Sequence, residues 1–239
     1  MFRGKSVKRS GAKKWLRRVA LCALAGLALS WFAVLVMRFV PPLTSAFMLE
    51  RRIAGLRQPG FALRYRWTPL ERVSADLPIA LVAAEDQKFP LHHGFDVEAI
   101  ADAIEDAEDG ERMRGASTIS QQTAKNLFLW NGHSFVRKGF EVYFTVLLEL
   151  TWSKRRILEV YLNIAEFGDG IYGAAAASEA YFHKPVSALN SHEAALLAAV
   201  LPNPKKYRAD KPSAYVQRRA AWIEQQVRQL GGAGYLEKK

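Results

Sequence analysis

The chain has 239 residues, half of them hydrophobic and 24% charged, with 34 lysines and arginines against 23 acids for a net charge of +11. That balance excludes wholesale disorder and leaves room for one substantial domain, or two small ones, with a self-sufficient core. The single cysteine, Cys22, excludes an intramolecular disulfide framework and a cysteine-based zinc knuckle, and leaves the redox compartment open.

A charge of +11 suggests an anionic partner, nucleic acid or a membrane surface, and its position decides between them. Residues 1–18 hold eight bases (Arg3, Lys5, Lys8, Arg9, Lys13, Lys14, Arg17 and Arg18) and no acid, leaving 26 bases against 23 acids in residues 19–239. The next 19 residues, 19–37, carry no charge. As a helix they span roughly 28 Å, close to the ~30 Å hydrocarbon thickness of a bilayer. Arg38 and Pro41-Pro42 end the run. Bases ahead of the span place the N-terminus in the cytoplasm and the remainder across the membrane. A cleaved secretory signal has an apolar region of only ~7–15 residues and a small-residue cleavage site. Here Met37, Arg38, Phe39 and Val40 follow, so an uncleaved signal anchor is expected over 19–40. Either version exports the domain, which argues against nucleic acid as the partner.

Residues 41–76 mix prolines, glycines and arginines and read as a linker and lead-in, with a short hairpin expected within 61–67. From residue 77 the pattern is helical. Residues 79–84 are apolar, and Val97, Ile100, Ala101 and Ile104 recur at helical spacing within 97–108. Ser117 or Thr118 can cap a helix reaching Leu129. The periodic stretch 136–163 breaks near 151–153, where Ser153 can start a new helix, and Ser191 can cap another that ends at 202–204. No internal repeat is visible, so a single mainly α domain is expected over 77–230, with a C-terminal tail over 231–239. Residues 96–111 contain eight acids and no base and read as a solvated helix face, which leaves a basic surface elsewhere.

Four clusters can carry chemistry. In the first, Glu85 and Asp86 lie close to Phe89, His92, Gly94, Phe95 and Asp96, a setting where partial burial raises a carboxyl's proton affinity toward general-base range. The second runs over 115–126. A helix from Thr118 places Ser117, Gln121 and Lys125 on one stripe and Gln122 and Asn126 on the next, a polar wall suited to sugar hydroxyls and phosphate. The third, Arg137, Lys138 and Glu141, reads as an exposed helix ion pair or as a grip on an anion. The fourth, 154–163, is a core helix by its apolar spacing.

Together the blocks resemble the peptidoglycan glycosyltransferase family, which also forms the N-terminal module of bifunctional penicillin-binding proteins. E-D-x-x-F-x-x-H-x-G-x-D is matched by Glu85, Asp86, Phe89, His92, Gly94 and Asp96. G-x-S-T-I-x-Q-Q-x-x-K-N is matched by Gly115, Ser117, Thr118, Ile119, Gln121, Gln122, Lys125 and Asn126. R-K-x-x-E is matched by Arg137, Lys138 and Glu141, and K-x-x-I-L-E-x-Y-L-N by Lys154, Ile157, Leu158, Glu159, Tyr161, Leu162 and Asn163. The four stand in the family order over residues 77–207. K-T-G is absent and 35 residues follow Pro204, so the monofunctional, membrane-anchored form is expected.

The resemblance implies a lysozyme-like glycosyltransferase domain behind a single transmembrane helix. It implies polymerisation of lipid II onto a lipid-linked glycan strand, with inversion at the MurNAc anomeric carbon, a β-1,4 product and release of polyprenyl pyrophosphate. Glu85 is then the catalytic base, and Glu141 the second catalytic carboxylate, orienting or protonating at the leaving phosphate. Lys125, Arg137 and Lys138 stabilise the pyrophosphate. Ser117, Thr118, Gln121, Gln122 and Asn126 position sugars and phosphates, and Asp86 orients Glu85 or is a candidate ligand for a divalent cation, Mg or Mn. No cofactor is obligatory. By analogy with inverting glycosidases, the carboxyl groups of Glu85 and Glu141 are expected more than ~5.5 Å apart. Leu127, Phe128, Leu129, Trp130 and the apolar residues of 97–104 are candidates for touching the membrane interface. Division or elongation proteins are candidate partners. The rivals are a lytic muramidase, which has no need of the three bases, and a non-catalytic glycan-binding division scaffold.

Overall fold

The computed structural model describes residues 8–108, 117–132 and 134–237, and the chain divides into two compact units, Met1–Val40 and Pro41–Lys239. The first is built on one helix, α1 (Lys8–Met37), whose segment Ala12–Met37 has a mean hydropathy of 2.4 and is long and apolar enough to cross a membrane. Leu24, Leu29 and Phe32 are mostly exposed along it, as expected of a helix whose apolar surround is lipid. The helix begins at Lys8, so the bases from there to Arg18 continue the span as helix. Arg3 and Lys5 lie outside the described residues.

The second unit holds α2 (Ala46–Gly55), α3 (Asp76–Glu85), α4 (Val97–Glu108), α5 (Ile119–Phe128), α6 (Phe135–Thr151), α7 (Lys154–Ile164), α8 (Ala174–Phe182), α9 (Ser191–Val200) and α10 (Ala214–Leu230). Its centre is α3 against α9. Their bodies, 77–83 and 194–200, are apolar on all sides and buried without exception. A helix without a polar face must be enclosed, and α10 and the C-terminal turn close over this pair. A small sheet of β1 (Arg64–Tyr65), β2 (Glu166–Gly168) and β3 (Ile171–Tyr172) has the order β1-β3-β2.

Several boundaries follow the sequence closely. Thr118 caps α5 and Ser153 caps α7 after a break at 152–153, while α9 is capped by Asn190, one residue before the expected Ser191. Three expectations are corrected. The hairpin in 61–67 is a single strand, β1, pairing parallel with β3 more than a hundred residues on. Residues 41–76 are part of the domain rather than a linker, because their polar groups are satisfied at long range. Tyr65 Oη donates to Pro42 O (2.6 Å), and the Asn163 amide both accepts from Thr68 N and donates to Thr68 O, each at 2.8 Å. Finally, 231–239 is no tail as far as it is described: a 3-10 turn, Gly232–Glu237, buries Tyr235, whose hydroxyl donates to Gln87 O (2.8 Å).

Candidate active site

The site begins where α3 stops. Glu85 is its last residue and Asp86 its C-cap, with extended backbone (φ −162°, ψ 77°), so two adjacent carboxylates leave the helix in different directions. Asp86 turns to the start of α5. Its Oδ2 accepts from Ile119 N (2.9 Å), at the positive end of that helix, and its two oxygens lie 2.9 and 3.0 Å from His92 Nε2. Gly94 N donates to His92 Nδ1 (3.1 Å), so in the neutral ring Nε2 carries the proton and donates to Asp86. Gly94 has φ +89°, and a Cβ there would come within 2.9 Å of Thr145 Cγ2 and 3.0 Å of Glu149 Cγ. Thr118 completes the joint. Its hydroxyl donates to Gly94 O (2.7 Å) and accepts from Gln121 N (3.2 Å), while the Gln121 side chain accepts from Thr118 N (3.0 Å), closing a capping box.

Glu85 stays at the negative end of α3 in a nearly dry position, its side chain 15% exposed. Gln122 Nε2 donates to its Oε2 (2.9 Å), and the buried Tyr161 hydroxyl donates to Gln122 Oε1 (3.2 Å), which fixes the orientation of the amide. On the other side Arg219, from α10, places Nη2 3.6 Å from Glu85 Oε1. Burial raises the proton affinity of Glu85 above the ordinary carboxylate range. Gln122, Arg219 and Lys125 pull it back, and the Asp86 charge adds to the rise. A cavity of about 210 Å³ opens beside this carboxyl, lined also by Ser117, Asp96 and Trp222.

The third face comes from α6. Arg137 and Glu141 are buried, 8% and 3% exposed, so they are not the surface ion pair that their i, i+4 spacing allowed. Arg137 Nη1 and Lys138 Nζ each stand 2.6 Å from a different oxygen of Glu141, which therefore holds both bases at once. Arg137 Nε is buried without a partner, leaving part of the guanidinium unsatisfied. Lys125 projects from α5 into the field of both carboxylates. Burial lowers its proton affinity, Glu141 raises it, Arg137 and Lys138 lower it and Glu85 raises it. Among the described residues it makes no ion pair, and its ammonium lies 5.8 Å over the Phe47 ring of α2. Among the described residues, Glu85 and Glu141 share no hydrogen-bond partner.

One deep carboxyl beside Lys125, with Arg137 and Lys138 gathered on a second carboxylate, is an arrangement that can deprotonate one group while neutralising another. Comparison with known proteins bears on which chemistry that is. A family model described as transglycosylase matches residues 54–228. The chain belongs to the transglycosylase family. This transglycosylase is 52% identical to a biosynthetic peptidoglycan transglycosylase of Xanthomonas axonopodis pv. citri, covering 95% of the chain and 93% of the relative. It is 53% identical to one of Xanthomonas campestris pv. campestris over the same shares. It is 51% identical to one of Xylella fastidiosa over 93% of each.

In the transglycosylase, the expected site residues divide. Glu85, Gln122, Lys125, Arg137, Lys138 and Glu141 converge. Asn126 is half-buried on α5, and Ser117 is exposed at the mouth of the cavity beside Glu85. Gly115 lies outside the described residues. Thr118 and Gln121, expected at the substrate, are buried in the capping box because the same side chains that suit sugars also end helices. Asp86, the candidate metal ligand, has both oxygens committed to His92 and Ile119 N, and the described residues contain no group of three potential ligands placed for a metal ion. A cation held by Asp86 does not fit this arrangement. The stripe of Gln121 with Lys125 gives way to Gln122 with Lys125. Arg219 was missed, since it stands 134 residues from its partner in no motif, and Tyr161 was read only as core. Leu127 and Leu129 are buried, which leaves Trp130 as the well-exposed member of that apolar run.

Proposed function

We infer that the chain is a peptidoglycan glycosyltransferase of cell-wall synthesis, anchored by α1, that joins lipid II to a lipid-linked glycan strand. The observation that carries the reading is the nearly dry carboxyl of Glu85, held by Gln122, in the field of Lys125, which in turn faces the Glu141-bound Arg137 and Lys138. Glu85 takes the proton of the acceptor GlcNAc 4-hydroxyl as that oxygen attacks C1 of the donor MurNAc. The bond from C1 to the phosphate oxygen breaks, and its electron pair leaves with the lipid pyrophosphate. A pyrophosphate needs countercharge more than a proton, which the three bases supply through charge-assisted hydrogen bonds. Attack opposite the leaving group inverts the anomeric centre. Glu141 holds Arg137 and Lys138 in place, and Gln122 and Tyr161 hold Glu85. No step is routed through a divalent cation.

Topology follows from the charge ahead of the uncharged span 19–37: N-terminus cytoplasmic, domain on the far side of the inner membrane. Val136, Phe140, Val146 and Leu150 form an exposed apolar stripe on α6, and Leu49 and Ile53 are exposed on α2. Such faces suit an enzyme working against a bilayer on lipid-borne substrates. The deciding experiment incubates the purified protein in detergent with labelled lipid II, beside Glu85→Gln. Glycan polymer from the wild type and none from the variant is the expected result. Full activity in the variant, or solubilisation of finished peptidoglycan in place of synthesis, overturns the reading.

A further inference from the structure

A second basic site lies away from the reaction centre. Segment 58–64, the β2–β3 turn and residues 204–208 enclose an open hollow of about 680 Å³. Arg64, Lys205, Lys206 and Arg208 line it, with a single acid, Asp169, whose carboxylate is already paired with Arg51. Arg208 pairs with Asp210 at 2.7 Å and Lys205 lies in the field of Glu166, whereas Arg64 and Lys206 have no carboxylate partner among the described residues. Residues 19–239 have only three more bases than acids, so an uncompensated excess of this size in one concavity is a large share of the domain's net charge. Like charges gathered around a hollow repel, and packing does not need them there: Arg51, not these four, covers the Phe61 ring (4.4 Å).

The hollow is joined to the site. Pro204 and Lys205 also wall a neighbouring hollow of about 420 Å³ that reaches Asn131 and Phe47, the residue under the Lys125 ammonium. A continuous surface therefore runs from the Lys125 side of the reaction centre, past Phe47 and Lys205, into the basic hollow. We propose that this hollow binds the carboxylate-bearing peptide side chains of the glycan strand growing out of the reaction centre. The proposal rests on the glycosyltransferase reading above, because a donor strand held by its lipid pyrophosphate at Lys125 must extend somewhere beyond it. A concave, polar-rimmed site suits carboxylates spaced along a chain, while a bilayer surface is better met by an exposed apolar face such as that of α6. Each guanidinium or ammonium contact is a charge-assisted bond, and a second foothold raises the effective concentration of the strand at the first.

The test combines Arg64→Ser, Lys206→Ser and Arg208→Ser, three exposed positions outside the reaction centre, in the full-length protein. In a Glu85→Gln background, fluorescent glycan oligomers carrying their peptides should bind about tenfold or more tightly than oligomers stripped of peptide by an amidase. The triple variant should abolish that difference. With Glu85 present, the triple variant should yield shorter strands from lipid II than the wild type. Equal binding of intact and stripped oligomers, or discrimination that survives the triple substitution, overturns the proposal. So does a triple variant that loses only binding to phosphatidylglycerol vesicles, which would assign the hollow to the membrane. Failure of the wild type to polymerise lipid II strikes the glycosyltransferase reading instead, and the binding arm still reports on the hollow.

Discussion

The two ends of α5 are built from the same kinds of residue and put to opposite use. At its start, Asp86, His92, Gly94, Thr118 and Gln121 satisfy one another, and Ser120 bonds Glu149, which also pairs with Lys154. One turn later, Lys125 makes no ion pair among the described residues, and the facing Arg137 leaves its Nε unsatisfied. The first end is a closed joint that fixes where α3, α5 and α6 meet. The second leaves part of its charge without a hydrogen-bond partner. Substitutions should sort accordingly, with joint variants losing stability and reaction-side variants losing turnover.

The strongest break in that comparison comes at Glu85. Glu85→Gln should reduce polymerisation by about 10²–10⁴-fold, the range for a general base, measured as lipid II consumption. Its melting temperature at neutral pH should equal or exceed that of the wild type. Burial raises the folded-state proton affinity of this carboxyl, so its contribution favours folding while it is protonated and is lost as pH rises through the folded pKa. The neutral amide escapes that loss. Glu141→Ala sits on the boundary between the two ends. It leaves Arg137 buried and unpaired beside Lys138 and should cost about 3 kcal/mol in denaturant unfolding as well as activity. Asp86→Asn puts an amide against the Ile119 N–H and the His92 Nε2–H, and should cost about 2 kcal/mol. A variant as stable as the wild type but inactive would move Asp86 from the joint to the chemistry.

The smallest effect belongs to Arg219. Burial drives the Glu85 carboxyl upward and Arg219 restrains it, so Arg219→Met should move the acid limb of the pH–rate profile to higher pH. Above that limb the rate should return to within about tenfold of the wild type. A uniform loss at every pH would show that Arg219 serves only to pack α10 against α3.

What the sequence revealed of this arrangement follows the reach of each signal. Caps at Thr118 and Ser153 are legible because a side chain and the amides it satisfies lie three residues apart. The role of Gln121 was misread for the same reason: a polar residue three after a threonine is equally a capping partner and a sugar ligand, and only burial separates the two. Arg219 and the parallel pairing of Arg64–Tyr65 with Ile171–Tyr172 depend on which surfaces meet across the domain, and no local spacing encodes that. Residues 41–76 look like a linker because their partners, Asn163 and Glu159 among them, are far along the chain.

The buried body of α3, residues 77–83, has a consequence for how the enzyme fails on heating. Amides in a helix enclosed on every side exchange with solvent only when the whole domain opens. Glu85 stands just past that buried run, so the support of its carboxyl should open with the domain rather than ahead of it. Loss of turnover and cooperative unfolding should then share one midpoint, and hydrogen–deuterium exchange should find 79–83 among the last amides to be replaced.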